Sequence, residues 1–120
     1  MRKYKVDIVQ NGHIHSYQRT WPVYRGKVNK TGHTENEFHS PDSPIYVVQA
    51  TGGAMLYRHW VDPVPEWSIK QMLKYGYGRV TIIKNVLKYD FISAQTGEVL
   101  DSWKIIKWCS DFSDNCQWIA

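Results

Sequence analysis

At 120 residues and 14.1 kDa the chain has room for one small domain, and 42% apolar with 14% aromatic residues is enough for a core, which excludes a disordered tail. Fifteen Lys plus Arg against 11 Asp plus Glu leave a formal charge of +4, spread without the basic stripe that nucleic-acid binding needs, though it suits an anionic ligand. No run approaches the roughly 20 apolar residues of a membrane helix, and Met1-Arg2-Lys3-Tyr4-Lys5-Val6-Asp7 has no signal-like apolar segment, so a soluble chain with no membrane partner and no visible address is expected.

Val6-Asp7-Ile8-Val9-Gln10 is a β-branched run stopped by Asn11-Gly12, the pattern of a buried strand that delivers the next residues to a loop. Thr20 to Tyr24, an Arg25-Gly26 turn and Lys27-Val28 predict a small hairpin, followed by a polar loop from Asn29 to Pro44 in which His33, Glu35, Glu37 and His39 are expected to be solvated. Ile45 to Ala50 is a second buried strand, ending at Thr51-Gly52-Gly53, glycines that suit a tight turn more than a phosphate cradle. Residues 54–76, rich in Trp, Pro and charge, predict a loop with one short helix at about Ser68 to Leu73. Regular alternation then sets in over 77–107: Gly78 to Lys84, Leu87 to Ser93 and Val99 to Ile106 predict an antiparallel three-stranded meander joined by turns at Asn85-Val86 and Gln95 to Glu98. The tail, 108–120, holds Cys109 and Cys116, for which a loop disulfide and free thiols are both open. The expectation is one domain over 1–120, mostly β, with two buried strands followed by the meander.

The segment with most chemistry is Asn11-Gly12-His13-Ile14-His15-Ser16-Tyr17-Gln18-Arg19. In extended backbone a spacing of two puts His13 and His15 on one side, where both imidazoles can converge on metal; a hydrogen-bonded surface pair has the same spacing. Two imidazoles alone are too few for a hydrolytic site, which commonly uses three or more protein ligands, with bridging carboxylates where two metals act together. Asn29-Lys30-Thr31 is an acceptor sequon and would be a surface glycosylation site in a secreted protein. His59, in an aromatic and basic patch, and the tryptophans at 21, 60, 67, 103, 108 and 118 are explained more simply by packing than by ligand contacts.

Gly12-His13-Ile14-His15-Ser16-Tyr17-Gln18-Arg19 resembles the Gly-His-x-His-x-Tyr-x-Arg motif that closes the metal-binding set of purple acid phosphatases, within the metallophosphoesterase superfamily. The similarity continues through Pro44 to Val48 with Thr51-Gly52-Gly53, through Tyr77 to Thr81, and through Thr96 to Ser102, so it spans about Tyr4 to Lys107. It implies an α+β fold, the C-terminal part of an α/β/β/α metallophosphatase sandwich.

The same resemblance implies that His13 is a ligand of the divalent metal (zinc, manganese or iron) and His15 a ligand of Fe(III), with Tyr17 and Arg19 supporting them from behind. The cofactor implied is a binuclear centre of Fe(III) plus a divalent metal, and the activity is hydrolysis of phosphate monoesters by hydroxide generated there. The aspartates, asparagine, tyrosinate and further histidines of that centre belong to motifs that would lie before Met1, so the chain is expected to be a C-terminal fragment, inactive alone and partnered by the upstream part of the enzyme. A homodimeric parent, secreted or held in a lysosome or vacuole, is implied in the same way. The alternative is a non-catalytic β-rich binding or regulatory module derived from the family.

Overall fold

Strand β1 (Ile8–Asn11) lies parallel to β6 (Ile45–Gln49) in register Ile8↔Ile45 and Val9↔Tyr46, so the two strands expected from their β-branched runs are neighbours. β1 is half-buried at Ile8 and Val9 and exposed at Gln10 and Asn11, not buried as expected, because it lies at the edge of its sheet. In this computed structural model, residues 5–58, 60 and 62–107 are described. His59, Trp108, Trp118, Cys109 and Cys116 lie outside them, as does the whole tail 108–120. Among the described residues every regular element is a strand, so the structure bears out the β part of the expected α+β fold and holds none of its helices.

The chain returns from β1 through a bend and enters β2 (Tyr17–Thr20), which pairs antiparallel with β6 on one side and β7 (Ser68–Met72) on the other, giving a sheet ordered β1-β6-β2-β7. A short helix was expected at Ser68 to Leu73, and β7 corrects this. Lys70, Gln71, Met72 and Leu73 are good helix formers, but six residues are too few for a helix to stand alone, and the open side of β2 offers ladder hydrogen bonds that outweigh propensity. The hairpin is as expected: β3 (Val23–Tyr24) and β4 (Lys27–Val28) are joined by Arg25-Gly26, both at positive φ, 49° and 77°.

The expected polar loop 29–44 is interrupted by β5 (Glu37–His39), whose Phe38 is fully buried. β5 joins the meander, β8 (Gly76–Ile83), β9 (Val86–Ser93) and β10 (Val99–Ile106), in a second sheet ordered β5-β10-β9-β8. The two sheets face each other across one core. Ile45, Val47 and Tyr17 from the first sheet meet Phe38, Leu87, Tyr89, Phe91, Trp103 and Ile105 from the second. Tyr17 stacks on Phe91 with centroids 4.2 Å apart, and Tyr89 stacks on Trp103 at 5.0 Å. The alternation along β10 explains its orientation: Asp101, Trp103 and Ile105 point inward, and the residues between them are half-buried.

Candidate functional site

His13 and His15 sit in the bend between β1 and β2, as expected for residues following a strand that ends in Asn-Gly. The bend is not extended. His13 has φ 76°, in the left-handed region, so strand alternation is not what relates the two imidazoles. They are joined instead by the segment after β6. The His15 Nδ1 lies 2.8 Å from the Met55 carbonyl, which can only accept, so Nδ1 carries the proton and Nε2 presents the lone pair. The Tyr57 backbone N–H donates to the His15 carbonyl at 3.2 Å, its hydroxyl donates to the His13 carbonyl at 3.2 Å, and its ring lies 5.0 Å from the His15 ring. Among the described residues no group of three or more His, Cys, Asp or Glu is placed to hold a metal ion. The imidazole pair therefore fits a metal only as part of a donor set, with neutral nitrogen ligands suited to zinc or iron.

Tyr17 and Arg19 share parity on β2 and point into the core, where both meet Asp101 of β10. The Tyr17 hydroxyl donates to Asp101 Oδ2 at 2.7 Å and accepts from the Trp103 indole N–H at 3.2 Å. Arg19 donates from Nε to Oδ2 at 2.6 Å and from Nη2 to Oδ1 at 3.1 Å, a bidentate pair. The remaining guanidinium protons reach the Glu35 carbonyl at 2.5 Å and the Asn36 side chain at 2.9 Å, so Arg19 also ties down the loop before β5. Arg19 and Asp101 are almost wholly buried, at 0% and 3% side-chain exposure, which makes mutual neutralisation a condition of folding. Burial first, and then the adjacent Asp101 carboxylate, push the Tyr17 phenol far above the ordinary tyrosine value, so it remains a neutral donor. The same two causes push Tyr89 up to about 12.

Asp101, the shared partner of Tyr17 and Arg19, was missed by the sequence reading. Its signal was a carboxylate in the same alternating row as Trp103 and Ile105, a charge on a buried face. Tyr57 and Met55 carried no such signal, because irregular backbone 40 residues away meets the bend only in three dimensions.

The other candidates are placed as follows. Asn29 Oδ1 accepts from the Thr31 N–H at 3.1 Å and its Nδ2 donates to Asp42 at 3.3 Å, in a turn whose Lys30, Thr31 and Gly32 are exposed. Thr51 is buried and its hydroxyl donates to the Gly76 carbonyl, a turn-holding role. His33 and His39 are half-buried and not solvated as expected: His33 Nδ1 accepts from the His39 N–H at 3.0 Å, and His39 Nε2 lies 3.0 Å from Glu37. Trp103 is a core residue, and Trp21 packs edge-on against Phe38.

The class these features define is a two-sheet β-sandwich with a His-x-His bend at the end of a parallel strand pair, backed by a buried Tyr-Arg-Asp network. Comparison with known proteins gives the family. Residues 43–102 match the profile described as iron/zinc purple acid phosphatase-like protein C, and the chain belongs to the purple acid phosphatase family. It is 36% identical over 108 residues to a protein named probable inactive purple acid phosphatase 1 of Arabidopsis thaliana, and 32% identical over 108 residues to acid phosphatase type 7 of Danio rerio, in each case over 88% of this chain. A purple acid phosphatase from yellow lupin (Lupinus luteus) seeds superposes with TM-score 0.81 at 30% identity over 88% of this chain. These matches cover 17%, 24% and 18% of the respective relatives, so the chain corresponds to a minor part of each.

Proposed function

We propose that this chain is the C-terminal part of a phosphate monoester hydrolase and contributes His13 and His15 as ligands of a binuclear centre of Fe(III) and a divalent metal. The observation that carries the reading is the His15 side chain, whose Nδ1–H is committed to the Met55 carbonyl so that Nε2 presents the lone pair. When bound, the metal pair would supply Lewis-acid polarisation of the phosphate ester and an activated water. The residues of this chain orient donors for it. Met55 sets the His15 tautomer, and Tyr17 and Arg19, held on Asp101, fix the start of β2 directly behind the bend. The upstream part of the enzyme would complete the ligand set, with a phosphate monoester as substrate.

The test begins with the polypeptide as it occurs in its source. A species several times heavier than 14.1 kDa, carrying iron and a divalent metal and hydrolysing an aryl phosphate, is expected. In that protein His13→Ala and His15→Ala should each lose metal and most turnover; full retention of both would sink the assignment. The second reading, a non-catalytic module of the same family, is favoured by the 36% identity to a relative named probable inactive purple acid phosphatase 1. A metal-free native species with no turnover would support it.

The family reading extends to a secreted or lysosomal or vacuolar location, a possible homodimer, and a glycan on Asn29. A mass shift on amidase treatment of the native protein, absent from Asn29→Gln, would establish the glycan.

A further inference from the structure

The bend that carries His13 and His15 is short of internal support. Ser16 N–H donates to the Ile14 carbonyl at 2.7 Å and Ala50 N–H to the Ser16 carbonyl at 3.2 Å, but neither bond touches a histidine. Among the described residues, the hydrogen bonds and ring contact that do touch one come from residues 55 to 57. Met55 takes the His15 Nδ1–H through its backbone carbonyl, a contact that requires the imidazole to be turned one way. Among the described residues Tyr57 reaches both histidines: its hydroxyl holds the His13 carbonyl, its ring leans on the His15 imidazole at 55°, and its backbone N–H holds the His15 carbonyl. A tilted ring pair at 5.0 Å favours one imidazole orientation over the others. The residue anchored by the hydroxyl is the one with φ 76°, a left-handed backbone that is strained for a non-glycine residue and is kept by the contacts around it.

We propose that Tyr57 is the positioning residue of the histidine pair: its phenol holds the His13 backbone and its ring holds the His15 imidazole in the orientation that leaves Nε2 available. The proposal rests on the metal-ligand reading of His13 and His15 for its purpose, but its structural part can be tested without metal.

The experiment uses the full 120-residue chain with 15N-labelled histidine, above the ordinary imidazole pKa of about 6.5, where the tautomer of each neutral ring is read from its nitrogen shifts. Zn2+ alone is then titrated and followed on the same resonances. In the wild type His15 should be the Nδ1–H tautomer, and zinc should move both His13 and His15. Tyr57→Leu, which removes the ring and the hydroxyl, should convert His15 to a tautomer mixture and weaken zinc at the pair about tenfold, the scale expected of an outer support. Tyr57→Phe should keep the His15 tautomer and weaken zinc about threefold through loss of the His13 anchor, and it decides the matter if the leucine variant does not fold. An unchanged His15 tautomer with zinc affinity within about twofold in Tyr57→Leu, or no change in zinc affinity in Tyr57→Phe, overturns the proposal. Zinc that leaves both imidazoles of the wild type untouched shows that the pair binds only with the upstream ligands, so the metal-ligand reading is then decided by the metal content of His13→Ala and His15→Ala in the complete protein, while the tautomer in Tyr57→Leu still decides whether Tyr57 positions His15.

Discussion

Arg19 and Asp101 form a buried ion pair held by two hydrogen bonds, with Tyr17 donating a third to the same carboxylate. Breaking such a pair from one side strands a charge in the core, so Asp101→Asn should cost about 3–5 kcal/mol in a urea melt. A shift of less than about 1 kcal/mol would show that solvent reaches the guanidinium. His33 makes a second prediction at this scale. Burial, and then the neighbouring His39, lower its pKa below 6.5, with Asp42 opposing them. The folded chain therefore binds fewer protons here than the unfolded chain, so this contribution to stability is complete above about pH 6.5 and is lost as the pH falls through the ordinary value towards the lowered one. Protonation also removes the lone pair that accepts the His39 N–H. Melting temperature measured against pH should fall less steeply on the acid side in His33→Asn, whose carbonyl oxygen can accept that bond without titrating. The motif that named His13, His15, Tyr17 and Arg19 was legible because it is local. Their partners Asp101, Met55 and Tyr57 were not, because hydrogen bonds across 84 and 44 residues leave no trace in spacing.

Among the elements, the meander was the most legible, since strict alternation over eight residues in β10 can bury only one face. β7 was misread because Lys70, Gln71 and Met72 favour helix, whereas the open side of β2 decided for a strand. β5 was hidden in a polar stretch, where Phe38 was the sole large apolar residue and three residues are too short for a period to show. Strand β8 makes a prediction of its own. A Cβ on Gly76 would meet the Ile92 carbonyl and the Phe91 ring, and one on Gly78 would meet the end of the Tyr89 side chain. Backbone cannot swing aside, so Gly76→Ala should destabilise by about 1–3 kcal/mol and Gly78→Ala by less, read as the shift in thermal midpoint. Equal shifts would mean that Tyr89, held between Trp103 and the Gln10 side chain, is as fixed as the ladder.

For the whole molecule, 48 × 31 × 23 Å, the sheet order matters most. Parallel strands are usually interior to a sheet, yet β1 is an edge strand, with β6 as its one ladder partner among the described residues. On the same sheet an open groove of about 440 Å³ is lined by Tyr46, Val48 and Trp67 together with polar Gln18 and Thr20. Exposed ladder groups beside apolar side chains favour pairing with another chain, so the isolated 120 residues should associate as concentration rises in sedimentation velocity. A monomer that melts cooperatively at all concentrations would overturn that expectation. By itself the sequence determined which segments are strands of strong period, where the histidine bend falls, and the family, because β-branched runs, alternation and an eight-residue motif are all local patterns. Tertiary structure alone decided that β7 is a strand, that Asp101 neutralises Arg19, and that Tyr57 reaches both histidines. These depend on which surfaces meet once the two sheets close on one core, and that is set by the sum of packing and hydrogen bonding over the whole sandwich.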